Sequence, residues 1–262
     1  MYTERTPRVA AARQLVKRSG RDRSGRFLAE GAQAVREALV FGTVHELFVT
    51  PTATARNSGL VEAAAEAGVP VSTITDRAAD GLSVTVTPQG ILAVCEQVDV
   101  PLGDALASAP KLVAVLVGVA DPGNAGTVTR VADAAGADAV IFAGDTVDPH
   151  NGKCVRASTG SLFHLPITRS RDIGAALAAC RAAGLTLIAA DGNADDGLDT
   201  APLTMPVAWV FGNEAHGLPD DLRTTVDHAL RVPIYGHAES LNLAAAAAVC
   251  LYASAIGQRH TE

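Results

Sequence analysis

Four predominantly apolar runs from residue 112 onward constrain the fold of this chain more than any other feature. A segment that is apolar at every position is typical of a parallel strand covered by helices on both faces. Stretches with helical periodicity separate the runs. The pattern predicts an α/β domain with a parallel sheet. Its strands are predicted at 112–117, 139–142, 185–189 and 207–211, and its helices at 125–135, 173–183 and 243–256.

The first hundred residues predict a second, smaller α/β domain. Strand-like segments at 27–29, 46–49 and 90–95 alternate with helical stretches at 32–41 and 60–67. The stretch from Pro101 to Pro110 is rich in small residues and is typical of a linker. A chain of 262 residues accommodates two domains. We therefore predict domains at 1–100 and 111–262, joined by a linker at 101–110.

Composition excludes several classes of protein. Hydrophobic residues make up 48% of the chain and charged residues 19%, which excludes a disordered protein. No apolar run reaches the roughly 20 residues that span a bilayer, and the Arg-rich N-terminus lacks the apolar core of a secretion signal. The four cysteines lack the close CxxC pairing of zinc and redox sites. We expect a cytoplasmic protein with reduced cysteines, no membrane partner and no metal.

Charge is distributed unevenly along the chain. The net charge is −7, but residues 1–36 hold nine basic and three acidic side chains, so this stretch carries +6 and the remainder −13. A basic segment on an acidic body indicates either a local contact with a polyanion or a solvated helix face.

Three loops at predicted strand ends carry glycines and polar side chains, and ligands of α/β sheets bind beyond the carboxyl ends of the strands. The first loop, 118–126, leads into a helix that contains Arg130. Asn124 in this loop is either a ligand-binding residue or the cap of the helix. Its glycine spacing departs from the dinucleotide fingerprint G-x-G-x-x-G.

The second loop, 210–219, presents Glu214, which is either a ligand partner or a helix cap. The third, 232–243, contains Ser240 and Asn242, which are also good capping residues. Three glycine-bearing loops at strand ends match a cofactor pocket better than three independent caps.

The segments in these loops resemble the motifs of the SpoU/TrmH family of RNA ribose 2′-O-methyltransferases, within the SPOUT superfamily. In chain order they are Asn124-Ala-Gly-Thr-Val-Thr-Arg130-Val-Ala-Asp, Phe211-Gly-Asn-Glu214-Ala-His-Gly-Leu and Ser240-Leu-Asn242-Leu-Ala-Ala-Ala. Between them, Arg156-Ala-Ser-Thr-Gly-Ser-Leu-Phe-His-Leu-Pro166 is similar to the family too. The resemblance covers Leu112 to about Tyr252.

The N-terminal domain resembles the L30e-like RNA-binding domains attached to such enzymes. The similar segments are Phe27-Leu-Ala-Glu30-Gly31, Glu46-Leu-Phe-Val-Thr and Thr87-Pro-Gln-Gly90-Ile-Leu-Ala-Val. Because related signals occur in enzymes that modify ribosomal RNA, including the thiostrepton-resistance type, the resemblance implies 23S rRNA as substrate, with tRNA as the alternative. It also implies a deep trefoil knot in the C-terminal domain and a homodimer whose active site takes groups from both subunits.

The resemblance also assigns a cofactor and site residues. It implies S-adenosyl-L-methionine as cofactor and catalytic roles for Arg130, Asn124, Glu214, Ser240 and Asn242. The cofactor would contact Ala189, Ala190, Asp191, Phe211, Gly212, Asn213, Ile234, Ser240 and Leu241. RNA would contact the basic residues Arg18, Arg21, Arg23, Arg26 and Arg156.

Arg130 matches the family arginine that is held to activate the ribose hydroxyl. A charged guanidinium has no lone pair to accept a proton. Water, a phosphate oxygen or an uncharged Arg130 remain as acceptors, and we assign Arg130 to orient the ribose or to stabilise the developing alkoxide. Six residues separate it from Asn124, so the two meet only if Asn124 stands in the loop before the helix.

Two other function classes compete with the methyltransferase. A nicotinamide-dependent oxidoreductase predicts the tight G-x-G-x-x-G loop, which the sequence lacks. An RNA-binding module with a decayed catalytic half predicts the loss of some of the five catalytic residues, all of which are present.

Overall fold

The computed structural model describes residues 1–85, 87–201 and 203–260. They form two compact units, one from residues 1–98 and 148–164, the other from residues 99–147 and from 165 onward. Residues 101–110, which were predicted to be a linker, belong to the second unit. Residues 148–164 fall inside the predicted domain at 111–262, but in the structure they belong to the first unit.

Strands and helices alternate along most of the chain. The strands are β1 Arg26–Glu30, β2 Val44–Val49, β3 Val71–Thr73, β4 Ile91–Glu96, β5 Leu112–Val117, β6 Ala139–Ala143, β7 Ile167–Ser170, β8 Thr186–Ala190, β9 Asp196–Gly197, β10 Val207–Phe211 and β11 His228–Arg231. The helices are α1 Pro7–Gln14, α2 Arg18–Ser24, α3 Ala32–Phe41, α4 Pro51–Arg56, α5 Ser58–Glu66, α6 Asp76–Leu82, α7 Leu102–Ala105, α8 Pro122–Ala135, α9 Gly152–Ser158, α10 Ile173–Ala182, α11 Asp220–Arg223 and α12 Leu243–Arg259.

The first unit is built on a four-stranded mixed sheet in the order β1-β4-β2-β3. Strand β4 is antiparallel to both of its neighbours, whereas β2 and β3 are parallel. Leu28, Phe48 and Leu92 of the sheet pack with Val9 of α1 and Leu82 of α6. The predicted strands of this part and the helix at 32–41 are confirmed.

An ion pair that the sequence did not indicate lies inside the first unit. Arg21, on α2, is only 3% exposed, and its Nη2 and Nε atoms lie 2.7 and 2.8 Å from Oδ2 of Asp148. Its Nη1 donates to the carbonyl oxygens of Leu15 and Val16. The prediction that Arg21 contacts RNA is wrong, because its guanidinium is turned inward and occupied by these partners.

Asp148 is held in its charged form. Burial by itself raises the pKa of this carboxyl, but hydrogen bonds from His150 and the charge of Arg21 outweigh burial and hold the pKa well below its usual range. The ring of His150 also packs against Phe27 of β1, with ring centres 4.7 Å apart. An ion pair and aromatic packing thus join segment 148–164 to the rest of the first unit, residues 1–98.

The second unit is built on a seven-stranded parallel sheet in the order β7-β6-β5-β10-β8-β11-β9. The four predicted strands of this part are confirmed and occupy its central positions. The remaining strands, β7, β9 and β11, are short and at or near the edges, so they have polar and exposed positions that break an apolar run. Helix α7 lies within 101–110, and Ala105 and Leu106 pack in the core of this unit.

Other features agree with the composition. All four cysteines are buried, and burial raises the pKa of the Cys180 thiol to about 11. Among the described ranges, no helix combines the length and the apolarity that crossing a bilayer requires.

We predict that Arg21→Met lowers the free energy of unfolding by about 3–5 kcal/mol, because it leaves the buried Asp148 carboxylate without its cation. Urea denaturation measures the loss. The matched control is Arg23→Met, an exposed position on the same helix, where we expect a change within about 0.5 kcal/mol. Equal losses in both variants would contradict the prediction.

The same ion pair predicts a dependence on pH. The folded pKa of Asp148 is depressed, so the stabilisation is complete above the unfolded aspartate pKa of roughly 4 and is lost as the pH falls below it. The difference between the wild type and Arg21→Met should therefore shrink in acid.

Candidate active site

One large cavity lies at the carboxyl ends of β8, β10 and β11, and its volume is about 590 Å³. The residues that follow these strands form its walls, together with the loop that precedes α12. Apolar wall residues include Phe211, Leu230 and Ile234, while Asp191, Arg223 and Glu239 are charged. Parallel strands end at the same edge of a sheet, which is why loops distant in sequence share one cavity.

The loop after β10 is shaped by a tight turn in which Asn213 and Gly217 pair through their backbones. A Cβ atom on Gly212 would lie only 2.4 Å from the backbone carbon of Gly217, so glycine is required there. The side chain of Asn213 donates to the carbonyl oxygen of Gly118 at 2.8 Å. This bond ties the loop after β10 to the loop after β5.

Glu214 strengthens the same connection. One carboxylate oxygen accepts from the backbone N–H of Ala120, and the other accepts from the N–H of Asp121 and from the side-chain amide of Asn124, all at 3.1 Å. Burial by itself raises the pKa of Glu214, but these hydrogen bonds outweigh it and lower the pKa. Glu214 is therefore a charged acceptor whose oxygens are engaged with the first loop.

The third loop joins this network through Asn242. Its side-chain amide donates to Oδ1 of Asn124 at 3.0 Å, while its own oxygen accepts from the N–H groups of Ala244 and Ala245 and so caps α12. Asn242 is thus the cap of α12, as the capping interpretation predicts, and the same side chain also contacts Asn124. Glu214, Asn124 and Asn242 form a chain of hydrogen bonds, called here the carboxylate–amide network.

Comparison with known proteins identifies the family of this chain. The model of the SpoU rRNA Methylase family matches residues 111–252, and the model of the MRM3-like substrate binding domain matches residues 6–93. The chain belongs to the SpoU rRNA methylase family. The nicotinamide-dependent oxidoreductase is not favoured.

Several relatives of this SpoU-family chain are named as enzymes. It is 34% identical to the 23S rRNA (guanosine(2553)-2′-O)-methyltransferase RlmP of Bacillus subtilis, over 92% of each chain. It is 41% identical to the 23S rRNA (uridine(2479)-2′-O)-methyltransferase of Streptomyces viridochromogenes, over 53% of this chain and 50% of that one.

Solved structures are similar over nearly the whole chain. An AdoMet-bound rRNA methyltransferase from Sinorhizobium meliloti has a TM-score of 0.84 and 31% identity, with 98% of this chain and 96% of that one covered. The SpoU methyltransferase AviRb from Streptomyces viridochromogenes, in complex with AdoMet, has a TM-score of 0.83 and 30% identity, with 98% and 100% covered.

Most of the predicted cofactor residues of this SpoU-family chain lie together. The cavity is lined by Ala190, Asp191, Phe211, Gly212, Asn213, Ile234, Ser240 and Leu241. Ala189 does not line it, because its side chain is buried in the core of the second unit. Sequence reasoning missed Arg223, whose Nη2 lies 3.1 Å from Oδ2 of Asp191, and no motif or spacing marked it.

The predicted catalytic residues are placed differently from one another. Three of them form the carboxylate–amide network, and Ser240 is exposed on the cavity wall. The prediction that Asn124 precedes the helix is wrong: α8 begins at Pro122, Asp121 is its cap, and Asn124 lies in the first turn. Arg130 is exposed on the same helix, about 9 Å further along its axis.

The remaining predicted RNA-binding residues are on or near the surface of the first unit. Arg18, Arg23 and Arg26 are exposed. The Arg156 side chain is 39% exposed, and its Nη1 lies 3.9 Å from the buried carboxylate of Glu30. Within the described part of the chain, no group of three His, Cys, Asp or Glu side chains is arranged to hold a metal ion.

We predict that Glu214→Gln lowers the free energy of unfolding by about 1–2 kcal/mol, since the amide keeps one acceptor oxygen where the carboxylate has two. Hydrogen exchange should show faster exchange at the N–H groups of Ala120 and Asp121. Glu239→Gln is the control, because Glu239 is an exposed carboxylate on the same cavity. Unchanged exchange at both amides in Glu214→Gln would refute the assigned contacts.

Proposed function

We propose that this chain transfers a methyl group from S-adenosyl-L-methionine to a ribose 2′-hydroxyl of 23S rRNA. The relatives named above act on 23S rRNA, and two similar structures carry AdoMet. One observation of the fold carries the proposal: the loops with the second and third family motifs line one cavity, and the hydrogen bonds of Asn124 with Glu214 and Asn242 join the first motif to these two loops. Because the substrate is ribosomal RNA, we place the reaction in the cytoplasm.

The cavity fits a cofactor of this kind. Its volume of about 590 Å³ lies within the range of roughly 300–1000 Å³ that is usual for cofactor pockets. Phe211, Leu230 and Ile234 offer apolar surface to the adenine, and the glycine-bearing loops offer backbone groups to its polar edge. When bound, the cofactor supplies an electrophilic methyl carbon next to a sulfonium.

The carboxylate–amide network positions groups rather than moving protons. Both oxygens of Glu214 already accept hydrogen bonds, and its lowered pKa keeps it ionised near neutral pH. Asn124 links Glu214 to Asn242, so the start of α8 and the start of α12 are held to one loop. Positioning of this kind contributes to a reaction that requires in-line approach of the ribose oxygen.

Arg130 is the proposed catalytic residue. It is exposed on α8, the helix whose first turn belongs to the network. As a charged guanidinium it has donors but no acceptor, so it orients the ribose and stabilises the alkoxide, while the hydroxyl proton passes to water or to a phosphate oxygen of the RNA. Ser240, exposed on the cavity wall, is proposed to close the cofactor pocket.

Two further proposals follow from the family. The first is a deep trefoil knot in the second unit. The second is a homodimer that shares its active sites. An exposed apolar stripe on α12, formed by Val249, Tyr252 and Ile256, supports the dimer, because such residues at helical spacing favour burial against a partner. Tyr252 also donates to the carbonyl oxygen of Ala134 on α8, so the stripe adjoins the Arg130 helix.

We predict that Arg130→Ala abolishes single-turnover methylation of a 23S rRNA fragment while cofactor affinity and thermal stability stay within about twofold and about 0.5 kcal/mol of the wild type. Arg130→Lys should also fail, because an ammonium lacks the planar donor fork. Arg171→Ala, an exposed arginine of the same unit, is the control. Near-normal turnover of Arg130→Ala would remove Arg130 from the catalytic role.

Two further measurements test the function itself. Titration calorimetry with the wild type should show saturable binding of S-adenosyl-L-methionine and none of NAD. Sites of 2′-O-methylation are mapped by reverse-transcriptase stops at low nucleotide concentration on rRNA from cells with and without the gene. Binding of NAD alone, or methylation of tRNA in place of rRNA, would contradict the proposal.

We predict that the charge reversals Arg23→Glu and Arg26→Glu together weaken binding of the rRNA fragment and flatten its dependence on salt, since each phosphate contact releases counterions. Cofactor affinity should not change. The control reverses Arg56 and Arg77, which are exposed in the same unit and leave the same net charge. Equal weakening by the two double variants would show an effect of net charge and not of a local surface.

A further inference from the structure

An ion pair on the cavity wall lies outside the carboxylate–amide network. Asp191 follows the end of β8, and Arg223 is the last residue of α11. The Nη2 atom of Arg223 lies 3.1 Å from Oδ2 of Asp191. The aspartate side chain is 12% exposed and the arginine side chain 34% exposed, and both residues line the cavity. The pair thus presents one positive and one negative group to whatever fills the cavity.

Other charged groups of the cavity are engaged elsewhere or lie at its exposed side. Glu214 accepts from the loop after β5, and the guanidinium of Arg231 donates to the backbone carbonyls of Ala194 and Asp195. Glu239 is an exposed loop residue. Arg223 is different: its Nε atom is buried and has no hydrogen-bond partner within the described residues. A guanidinium has five N–H donors, so the contact with Asp191 leaves donors available.

We infer that Arg223 and Asp191 bind the amino-acid end of the cofactor, with the carboxylate accepting hydrogen bonds from Arg223 and the ammonium facing Asp191. The inference rests on the proposed function. It assigns the two wall charges to the one part of the ligand that has two opposite charges of its own, since the adenosine end is neutral. Arg223 and Asp191 are binding residues in this assignment and take no part in proton transfer.

Simple electrostatics supports this orientation. A zwitterion placed against an ion pair in the opposite sense gives four charges that alternate in sign, so every nearest contact is attractive. Arginine is well suited to carboxylate recognition because its N–H groups match the two carboxylate oxygens. The pair also disfavours analogues without the amino-acid end, because they leave donors of Arg223 without an acceptor.

The pair also connects two elements of the cavity wall. Asp191 is held by its backbone to β11, since its N–H donates to the carbonyl oxygen of Leu230 at 3.0 Å. Arg223 is the last residue of α11, the helix that follows the loop after β10. Its Nη2 lies close to that loop, 3.8 Å from the position that a Cβ atom on Gly217 would take. A ligand held by both residues therefore touches the walls that follow β8 and β10.

The test compares three ligands by titration calorimetry on the full chain: S-adenosylhomocysteine, its decarboxylated analogue and 5′-methylthioadenosine. The analogue keeps the ammonium but lacks the carboxylate, and methylthioadenosine lacks both. We expect Arg223→Gln to weaken binding of S-adenosylhomocysteine by about tenfold, the usual effect of one charge-assisted hydrogen bond, and to leave the other two within about twofold. Arg223→Lys should lose less, because it keeps the charge.

Asp191→Asn has a different expected pattern. It should weaken binding of S-adenosylhomocysteine and of the decarboxylated analogue, which share the ammonium, and spare methylthioadenosine. Arg171→Gln, outside the cavity, should change none of the three affinities.

Two results would overturn the inference. If Arg223→Gln weakens the binding of all three ligands equally, Arg223 stabilises the cavity wall and does not contact the amino-acid end of the ligand. If affinity for S-adenosylhomocysteine is unchanged, Arg223 does not contact the ligand. A wild-type chain that binds none of the three ligands would instead refute the proposed function itself.

Discussion

Glu214 stands in the loop after β10, yet its carboxylate accepts hydrogen bonds from the backbone of the loop after β5 and from Asn124 in the first turn of α8. Asn124 in turn accepts from Asn242, which caps α12. The start of α8 therefore shares one chain of hydrogen bonds with two residues that lie 90 and 118 positions after Asn124 in the sequence. The position of Arg130 depends on it, because Arg130 and Asn124 lie on the same rigid helix.

The sheet of the second unit explains why a network of only three side chains can join the loops after β5 and β10 to the start of α12. Strands β5, β10 and β8 are neighbours and parallel, so their carboxyl ends lie at one edge. Helix α12 is fixed at its start by Asn242, and further along by the buried hydrogen bond from Nε1 of Trp209 on β10 to the hydroxyl of Ser254, at 2.9 Å. The cavity therefore lies between the carboxyl ends of these strands and the start of α12, and the loops that follow the strands complete its walls.

The first unit shows that a cluster of basic residues in the sequence is not the same as a basic surface. Arg21 belongs to the basic segment at 1–36, but its charge is neutralised inside the unit by Asp148. Arg18 pairs with Asp22 one turn along α2, while Arg23 and Arg26 are exposed. A surface pair of this kind contributes little stability, whereas the buried pair fixes segment 148–164.

The sequence alone determined the elements whose signal is local. The apolar runs located β5 and β10 to the residue, helical periodicity located α3, and eight of the nine residues predicted from the resemblance to contact the cofactor lie on the cavity. Periodicity was sufficient there because a strand buried on both faces is apolar at every position. Cap chemistry alone did not locate the start of α8: both Asp and Asn cap helices, and it is Asp121, not Asn124, that caps α8, with Pro122 at the first helical position.

Only the tertiary structure decided which distant residues meet. Arg21 and Asp148 are 127 positions apart, and Asp191 and Arg223 come from a strand end and a separate helix. No local pattern marks such pairs. The contact of Asp191 with Arg223 depends on the order of the strands, in which β10 lies between β5 and β8 although it follows both in the chain. The contact of Arg21 with Asp148 depends on the inclusion of segment 148–164 in the first unit. The burial of the Ala189 and Arg21 side chains is also decided by the tertiary structure, since the exposure of a residue depends on what packs over it.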